Sequence, residues 1–167
     1  MQLRPIREED EQAVLALHRR PVWGPYDFLF DYDAERPWSD HVTRLADARR
    51  GIGLRDGEVA ATFLLAWDGD TLVGRASIRH ELNAYLEVYG GHIGYAVAPE
   101  HRRRGHATEI LRQSVVIARD LGIADVLVTC DDGNVASARA IERCGGSLDS
   151  TVDGPGPGER RRRYWIR

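Results

Sequence analysis

A short basic loop between a predicted strand and a predicted helix carries the strongest chemical signal in the sequence. Arg102, Arg103 and Arg104 are followed by Gly105 and by a helical pattern that begins near Ala107. The first N–H groups of a helix lack partners within the helix, and the helix dipole favours an anion at that end. Arginines pair with phosphate oxygens, and a glycine lets a bulky anion approach the backbone. The loop therefore predicts a diphosphate site.

Other nucleotide-binding patterns do not fit this loop. No Gly-Lys-Ser/Thr follows it, which excludes a Walker P-loop, and the GxGxxG of a Rossmann fingerprint is absent. A solvated basic turn is the plain alternative, because runs of charge usually lie at the surface.

The segment 92–146 resembles the acetyl-CoA-binding region of the GNAT superfamily of N-acetyltransferases. Arg102, Gly105 and Ala107 fill the family motif Gln/Arg-x-x-Gly-x-Gly/Ala between a strand and a helix. Downstream, Asn134 follows a short strand and begins a second helix, which ends at a pair of glycines. In the family this second helix lies along the pantetheine arm of the cofactor.

The resemblance implies one domain, residues 1–167, with the GNAT fold. This is an α/β (α+β) architecture, in which a mixed central sheet of about six to seven strands is splayed at its centre and flanked by helices. The strands that contain 93–97 and 126–130 would separate, and the pantetheine arm would lie between them. The phrases 78–83 and 90–95 resemble a bacterial branch of the superfamily, which implies the fold and the cofactor but no acceptor.

The resemblance also assigns the acetyl-CoA contacts to the first of these strands, the basic loop and the start of the second helix. The residues are Tyr95, Ala96, Val97, Arg102, Arg103, Arg104, Gly105, His106, Ala107, Thr108, Asn134 and Ser137. The N–H of Val97, or of a neighbour, would polarise the thioester carbonyl and stabilise the developing oxyanion. Asn134 has a second interpretation as a helix N-cap. No metal is expected.

The implied reaction is direct transfer of an acetyl group to a primary amine of a small molecule or peptide, in a ternary complex. Many family members place an acidic tyrosine seven residues after the asparagine, where this chain has Ile141. Some place a glutamate on the preceding strand, where this chain has Thr129. One usual acid and one usual base are therefore missing, so a GNAT-fold acyl-CoA sensor without turnover is the alternative function.

Two residues are candidates for the general base. His92 begins the central strand, and histidine titrates close to neutral pH. Its alternative role is a hydrogen bond to a backbone group where the strand begins. Glu87 is the second candidate, and its alternative is an ordinary solvated carboxylate.

Three polar residues follow the second strand of a predicted hairpin, namely Arg79, His80 and Asn83. They are candidates for the acceptor pocket, because polar clusters in long loops are often functional. Their alternative role is to brace the loop that leads to Gly90. The resemblance assigns much of the rest of the acceptor site to residues 21–50, whose aromatics and prolines give no clear pattern.

The elements that position these residues follow from the spacing of apolar side chains. Two β-rich runs around an Asp-Gly-Asp turn predict the hairpin, 59–67 and 71–78. Apolar residues three or four apart predict a helix from Ala107 to the C′ residue Gly122. Further strands are predicted at 3–6, 91–97, 126–130, 147–152 and 161–166, and further helices around 14–17, at 39–49 with Ser39 as N-cap, and at 134–143.

Composition narrows the class of protein. The net charge of −3 argues against a nucleic-acid or membrane partner, and the basic run 160–163 is predicted to lie on an edge strand. No apolar run approaches the roughly 20 residues of a membrane span, and the N-terminus shows no signal-peptide core. Cys130 and Cys144 are expected to be free thiols in a reduced compartment. A cytoplasmic protein is predicted, with a homodimer left open.

Overall fold

The computed structural model describes residues 1–21, 23 and 27–167 as a mixed α/β domain. Its strands are β1 Gln2–Pro5, β2 Ala61–Asp68, β3 Thr71–Arg79, β4 Ile93–Val97, β5 Val126–Asp131, β6 Ser147–Asp153 and β7 Arg160–Ile166. Its helices are α1 Glu11–His18, α2 Trp38–Arg49, α3 His106–Asp120 and α4 Val135–Arg143. None of these helices is long and apolar enough to cross a membrane.

The strands form two antiparallel sheets. The first has the order β1-β2-β3-β4 and the second the order β5-β7-β6. The predicted hairpin is confirmed as β2 and β3, which turn at Gly69 with φ of 57°. Such a φ is readily adopted by glycine, which explains the residue at the turn.

The two sheets meet where β4 and β5 begin. The N–H of His92 donates to the carbonyl oxygen of Leu127 at 2.7 Å. Beyond this point no backbone ladder joins β4 to β5 in the described part of the chain. The middle of β4 is partly exposed, although the strand is central in the molecule. The predicted splay is thus a gap between the two sheets.

Helices cover both faces of the first sheet. On one face α3 and α4 pack against the sheet in a core that includes Leu111, Ile141 and Ile93. On the other face α1, α2 and residues near Phe28 pack on Phe63 and other apolar residues of β2. Burial of these apolar side chains holds the three layers together.

Three details differ from the predictions. Helix α2 begins at Trp38 after Pro37, so Ser39 lies inside its first turn and is not the N-cap. Strand β7 pairs with both β5 and β6, so the basic run lies on a central strand and not on an edge. A π-helical turn, Leu86–Gly90, occupies a segment for which no element was predicted.

Candidate active site

The basic loop leads into the N-terminus of α3 as predicted. Gly105 is the N-cap residue, with φ of 88°, and a Cβ built on it would meet nothing within 4 Å. Within the described residues, the N–H groups of 103–108 have no hydrogen-bond acceptor. A row of open amides at the positive end of a 15-residue helix is suited to an anion.

The charges around this helix end favour the same kind of ligand. Arg103 and Arg104 are exposed and form no ion pair with a described residue. The nearby carboxylates are already occupied, since Glu100 pairs with Arg20 and Glu109 pairs with Arg112. The cationic side chains are therefore available to an incoming diphosphate.

The other predicted residues of this loop have structural contacts as well. Arg102 turns back, and its Nε donates to the carbonyl oxygen of Val97 at 3.1 Å. The rings of His101 and His106 lie edge to face, with centroids 6.3 Å apart. The carbonyl oxygen of Thr108 accepts a hydrogen bond from Sγ of Cys144.

The edge of β4 that faces the gap presents backbone groups. In the antiparallel ladder with β3, Ala98 donates to Val73 and Arg79 donates to His92. Hydrogen-bonded pairs alternate along such a ladder, so Gly94 and Ala96 also face β3. The N–H groups of Tyr95 and Val97 consequently point into the gap. They are the donors that a chain lying between the sheets would meet.

Two of the predicted cofactor residues contact each other between β4 and α4. The hydroxyl of Tyr95 lies 2.9 Å from Oγ of Ser137, which joins β4 to α4. Burial, the largest influence, raises the pKa of Tyr95 to about 12. The phenol therefore carries its proton at neutral pH.

The N-terminus of α4 is capped by Asn134. Its Oδ1 accepts a hydrogen bond from the N–H of Ser137 at 3.1 Å, as the N-cap interpretation requires. The residue is exposed, and its Nδ2 makes no hydrogen bond to a described residue. A cleft of about 500 Å³ lies beside it, between the end of β5 and the β6–β7 loop.

The comparisons with known proteins agree with this geometry. The sequence profile of the acetyltransferase (GNAT) domain matches residues 1–147. The chain belongs to the GNAT acetyltransferase family. A search of curated proteins finds no significant match.

Solved structures of the same fold are bacterial acetyltransferases. A ribosomal-protein-alanine N-acetyltransferase from Brucella melitensis has a TM-score of 0.68 and 17% identity, over 99% of both chains. A spermidine N-acetyltransferase from Vibrio cholerae, solved with CoA and spermine, has a TM-score of 0.67 and 18% identity, over 99% of this chain and 94% of that one. An acetyltransferase from Agrobacterium tumefaciens has a TM-score of 0.61 and 24% identity, over 97% and 88%.

At the two positions where many GNAT members carry an acid or a base, the side chains of this chain make structural contacts. Ile141 is fully buried in the core between α4 and the sheets. Thr129 donates its hydroxyl to the carbonyl oxygen of Tyr89 at 2.6 Å. The hydroxyl of Tyr95 is a protic group that lies between β4 and α4.

The two candidate bases differ in their surroundings. His92 is buried, and its Nδ1 accepts a hydrogen bond from the N–H of Leu127 at 2.9 Å. Burial and the charge of Arg79 lower the pKa of His92, so the ring is neutral with its proton on Nε2. Glu87 lies on the π-helical turn with an exposed side chain.

The three polar residues at the end of β3 and just after it make hydrogen bonds within the fold, and two of them hold the segment that leads to β4. Arg79 donates from Nη1 to the carbonyl oxygens of Gly90 and Gly91, both at 3.2 Å. His80 contacts the hydroxyl of Thr62 at 2.8 Å through Nε2. Asn83 caps the π-helical turn at Leu86 and donates to the carbonyl oxygen of Gly57. Of the three, only Arg79 also lies against the exposed middle of β4.

The expected acceptor segment, 21–50, lies partly outside the described residues, which omit 22 and 24–26. Its described part packs near β3 and brings Asp27 and Phe30 onto Arg75. Arg75 was missed in the sequence. An arginine in the middle of a strand rich in small and apolar residues is the signal that marks it.

Three of the four arginines of the basic run on β7 are ion-paired. Arg161 pairs with Asp131 at 3.3 Å, Arg162 with Asp132 at 2.6 Å and Arg163 with Asp149 at 2.9 Å. These aspartates lower the local positive charge, so the run offers little electrostatic attraction for the phosphates of a nucleic acid. Among the described residues, no group of three or more His, Cys, Asp or Glu is placed to hold a metal ion.

Proposed function

We propose that this GNAT protein is an acetyl-CoA-dependent N-acetyltransferase that acts on a primary amine of a small molecule or peptide. The observation that carries the proposal is the row of open amides at residues 103–108, which continues onto the open edge of β4. The spermine bound to the Vibrio cholerae relative supports a small-molecule amine as the class of acceptor. The reaction is expected in the cytoplasm.

The site is suited to each part of acetyl-CoA. The open amides and Arg103 and Arg104 would hold the diphosphate, while Gly105 leaves space for it. The amide-rich pantetheine arm would bond to the N–H and C=O groups on the free edge of β4, like an added strand. The amide of Asn134 would contact the arm from α4. The N–H of Val97 would polarise the thioester carbonyl.

The transfer itself exchanges one bond for another. The neutral amine attacks the carbonyl carbon, a C–N bond forms, and the C–S bond breaks with its electron pair on sulfur. The nitrogen loses one proton and the thiolate gains one, so the products are an acetamide and CoA.

Tyr95 is the proposed donor of the proton to the leaving thiolate. Its phenol is protonated at neutral pH and lies between β4 and α4, next to the edge of β4 where the thioester would lie. The position therefore replaces the acid that the family usually carries where this chain has the buried Ile141.

Glu87 and His92 are the two proposed bases that would remove the proton from the amine. Their surroundings differ. Glu87 has open carboxylate oxygens, whereas His92 must break its bond to Leu127 before Nδ1 accepts a proton. Replacement by glutamine in each case tests the choice. Glu87→Gln is expected to lower kcat about 100-fold if this carboxylate is the base. An unchanged rate in Glu87→Gln, with loss in His92→Gln, would assign the base to His92.

Two measurements test the proposed function. Millimolar acetyl-CoA is expected to raise the melting temperature, because only the folded state has the site. Release of free thiol in the presence of an amine panel is expected at the same concentrations. A melting shift without thiol release from any amine would support the alternative, an acyl-CoA sensor. The absence of a melting shift would contradict both. Light scattering on the same samples distinguishes a monomer from a homodimer.

A further inference from the structure

Arg75 is a buried arginine in the middle of β3. Its side chain is 5% exposed, and its Cα lies opposite that of Ala96 in the ladder with β4. Opposite residues on neighbouring strands project from the same face. The guanidinium therefore lies on the face of β4 that α1 and α2 cover, next to the part of the strand where the thioester is proposed.

The charge of Arg75 has little compensation within the protein. Nη2 donates to the carbonyl oxygen of Asp27 at 3.1 Å, and the guanidinium carbon lies 4.1 Å from the centre of the Phe30 ring. Nε is buried without a hydrogen-bond partner in the described residues, and no carboxylate there lies within ion-pair distance. Buried charges in proteins are normally paired, because loss of hydration is costly.

A second guanidinium of the same sign lies on this face. Arg79 follows four residues later on β3, and a Cβ built on Gly94 would lie 3.5 Å from its Nη1. Burial and the charge of Arg79 together lower the pKa of Arg75 to about 10, so Arg75 remains cationic at neutral pH. Because positions 94 and 96 carry only a hydrogen atom and a methyl group, no bulky side chain of β4 lies between the two arginines.

We infer that Arg75, assisted by Arg79, binds an oxyanion carried by the acceptor, so that the substrate is an amine with a carboxylate or phosphate group. The inference rests on the proposed function. A bound oxyanion supplies the hydrogen-bond acceptor that Nε of Arg75 lacks and a negative charge beside its guanidinium. It also fixes the amine at a set distance from the open edge of β4.

The same charges disfavour other acceptors. A polyamine is cationic along its whole length, and the buried guanidinium of Arg75, with the half-buried Arg79 nearby, would repel it. The spermine complex of the Vibrio cholerae relative is therefore a guide to the reaction but not to the acceptor of this chain. A neutral amine without an oxyanion leaves Nε of Arg75 unpaired and gains nothing from either arginine.

Matched acceptors test the inference in the wild-type protein. Tyrosine is compared with tyramine, and phosphoethanolamine with ethanolamine, with spermidine as the cationic acceptor. The expected kcat/KM for the anionic member of at least one pair is about 100-fold higher than for its partner, the equivalent of one or two charged hydrogen bonds. The pair that shows the difference distinguishes a carboxylate from a phosphate. A preference for tyramine, ethanolamine or spermidine would overturn the inference.

Two variants assign the preference to Arg75. Arg75→Met removes the charge and keeps an unbranched side chain, so the melting temperature is expected to be equal or higher. Its kcat/KM for the anionic acceptor is expected to fall about 100-fold, with less than about threefold change for the uncharged partner. Arg75→Lys keeps the charge without the planar fork, and an intermediate loss is expected. An equal loss for both acceptors in Arg75→Met would count against recognition of an oxyanion.

A binding measurement separates failure of the inference from failure of the proposed function. Calorimetry with N-acetyltyrosine and with N-acetylphosphoethanolamine as probes needs no turnover. One of them is expected to bind wild-type protein and to bind Arg75→Met at least about tenfold more weakly. If neither binds the wild type, the oxyanion site does not exist, whatever the acetyl-CoA melting shift shows. If one binds but no melting shift occurs, the site stands and the acetyl-CoA assignment fails.

Discussion

The hydroxyl of Tyr95 and Oγ of Ser137 lie 2.9 Å apart, and this hydrogen bond links β4 to α4. It holds the phenol, whose pKa is raised to about 12, beside the open backbone edge of β4. An acid of such high pKa is a poor proton donor to a solvent-exposed thiolate. It is suited to a thiolate that forms inside the gap, because loss of hydration makes that thiolate more basic.

Tyr95→Phe is expected to lower kcat by about 100-fold, because the leaving thiolate loses its proton donor. The affinity for acetyl-CoA is expected to stay within about threefold, because the ring remains in place. Single-turnover thiol release and calorimetry measure the two quantities.

Ser137→Ala is the matched control for Tyr95→Phe, since it removes the other half of the hydrogen bond and leaves the phenol. Its kcat is expected to fall less than about tenfold. An equal fall in both variants would show that the bond acts by positioning alone, and an unchanged rate in Tyr95→Phe would rule out the acid role.

Gly105→Val is expected to weaken acetyl-CoA binding by about tenfold or more, because the added side chain enters the space next to the open amides and displaces a charged hydrogen bond. The residue has φ of 88°, so the variant also carries backbone strain of about 1–3 kcal/mol. Calorimetry and melting temperature are measured on the same preparation.

Gly122→Val separates the two effects of the Gly105 change. Gly122 has φ of 89°, lies at the other end of α3 and has no atom within 4 Å of a built Cβ. The two variants are expected to lose similar stability, whereas only Gly105→Val loses affinity. Equal loss of affinity in both would assign the effect to strain in the helix and not to the diphosphate site.

Local patterns predicted the parts of the site that depend on a few neighbouring residues. The strand that ends before Pro99, the turn at Gly105 and the apolar face of α3 are each encoded within a few positions, and each is present. The cap at Asn134 follows from one side chain and one backbone N–H three residues later. Such features are determined by sterics and by hydrogen bonds within one turn.

Features that depend on contacts between distant parts of the chain were not predicted from the sequence. The environment of Arg75 is formed by the carbonyl oxygen of Asp27, 48 residues earlier in the chain, and by the ring of Phe30. The π-helical turn at Leu86–Gly90 is held by Asn83 and by Thr129 from β5. The central place of β7 depends on which strand pairs with β5, and basic residues on a central strand are tolerated because aspartates pair with them.

Asn134→Asp is expected to keep the stability of α4 and to bind acetyl-CoA several-fold more weakly. Aspartate caps a helix as well as asparagine does, but it lacks the Nδ2 donor that is proposed to contact the pantetheine arm. Asn134→Ala removes both functions and is expected to lose about 1 kcal/mol of stability as well. Melting temperature and affinity are measured together. Unchanged affinity in the Asp variant would leave Asn134 with the capping role alone.

His41 is expected to make the protein sensitive to mild acid. The residue is 7% exposed, packs edge to face on Tyr32 with ring centroids 5.4 Å apart, and lies against Trp38. Its Nε2 is buried without a partner among the described residues. Burial is the main cause that lowers its pKa to about 4; the charges of His18 and Arg44 add to the effect and Asp31 opposes it.

The sign of the effect follows from which state binds the proton. The unfolded chain protonates His41 near its ordinary pKa of 6.5, whereas the folded chain does so only near 4. Stability from the neutral ring is therefore complete above pH 6.5 and is lost as the pH falls towards 4. At pH 4.5 the loss is about 2–3 kcal/mol. His41→Phe keeps the ring contacts and removes the titration. Between pH 7.5 and 4.5 its free energy of unfolding is therefore expected to fall by about 2–3 kcal/mol less than that of the wild type. Urea unfolding at the two pH values measures it, and parallel losses in wild type and variant would show that His41 does not sense the acid.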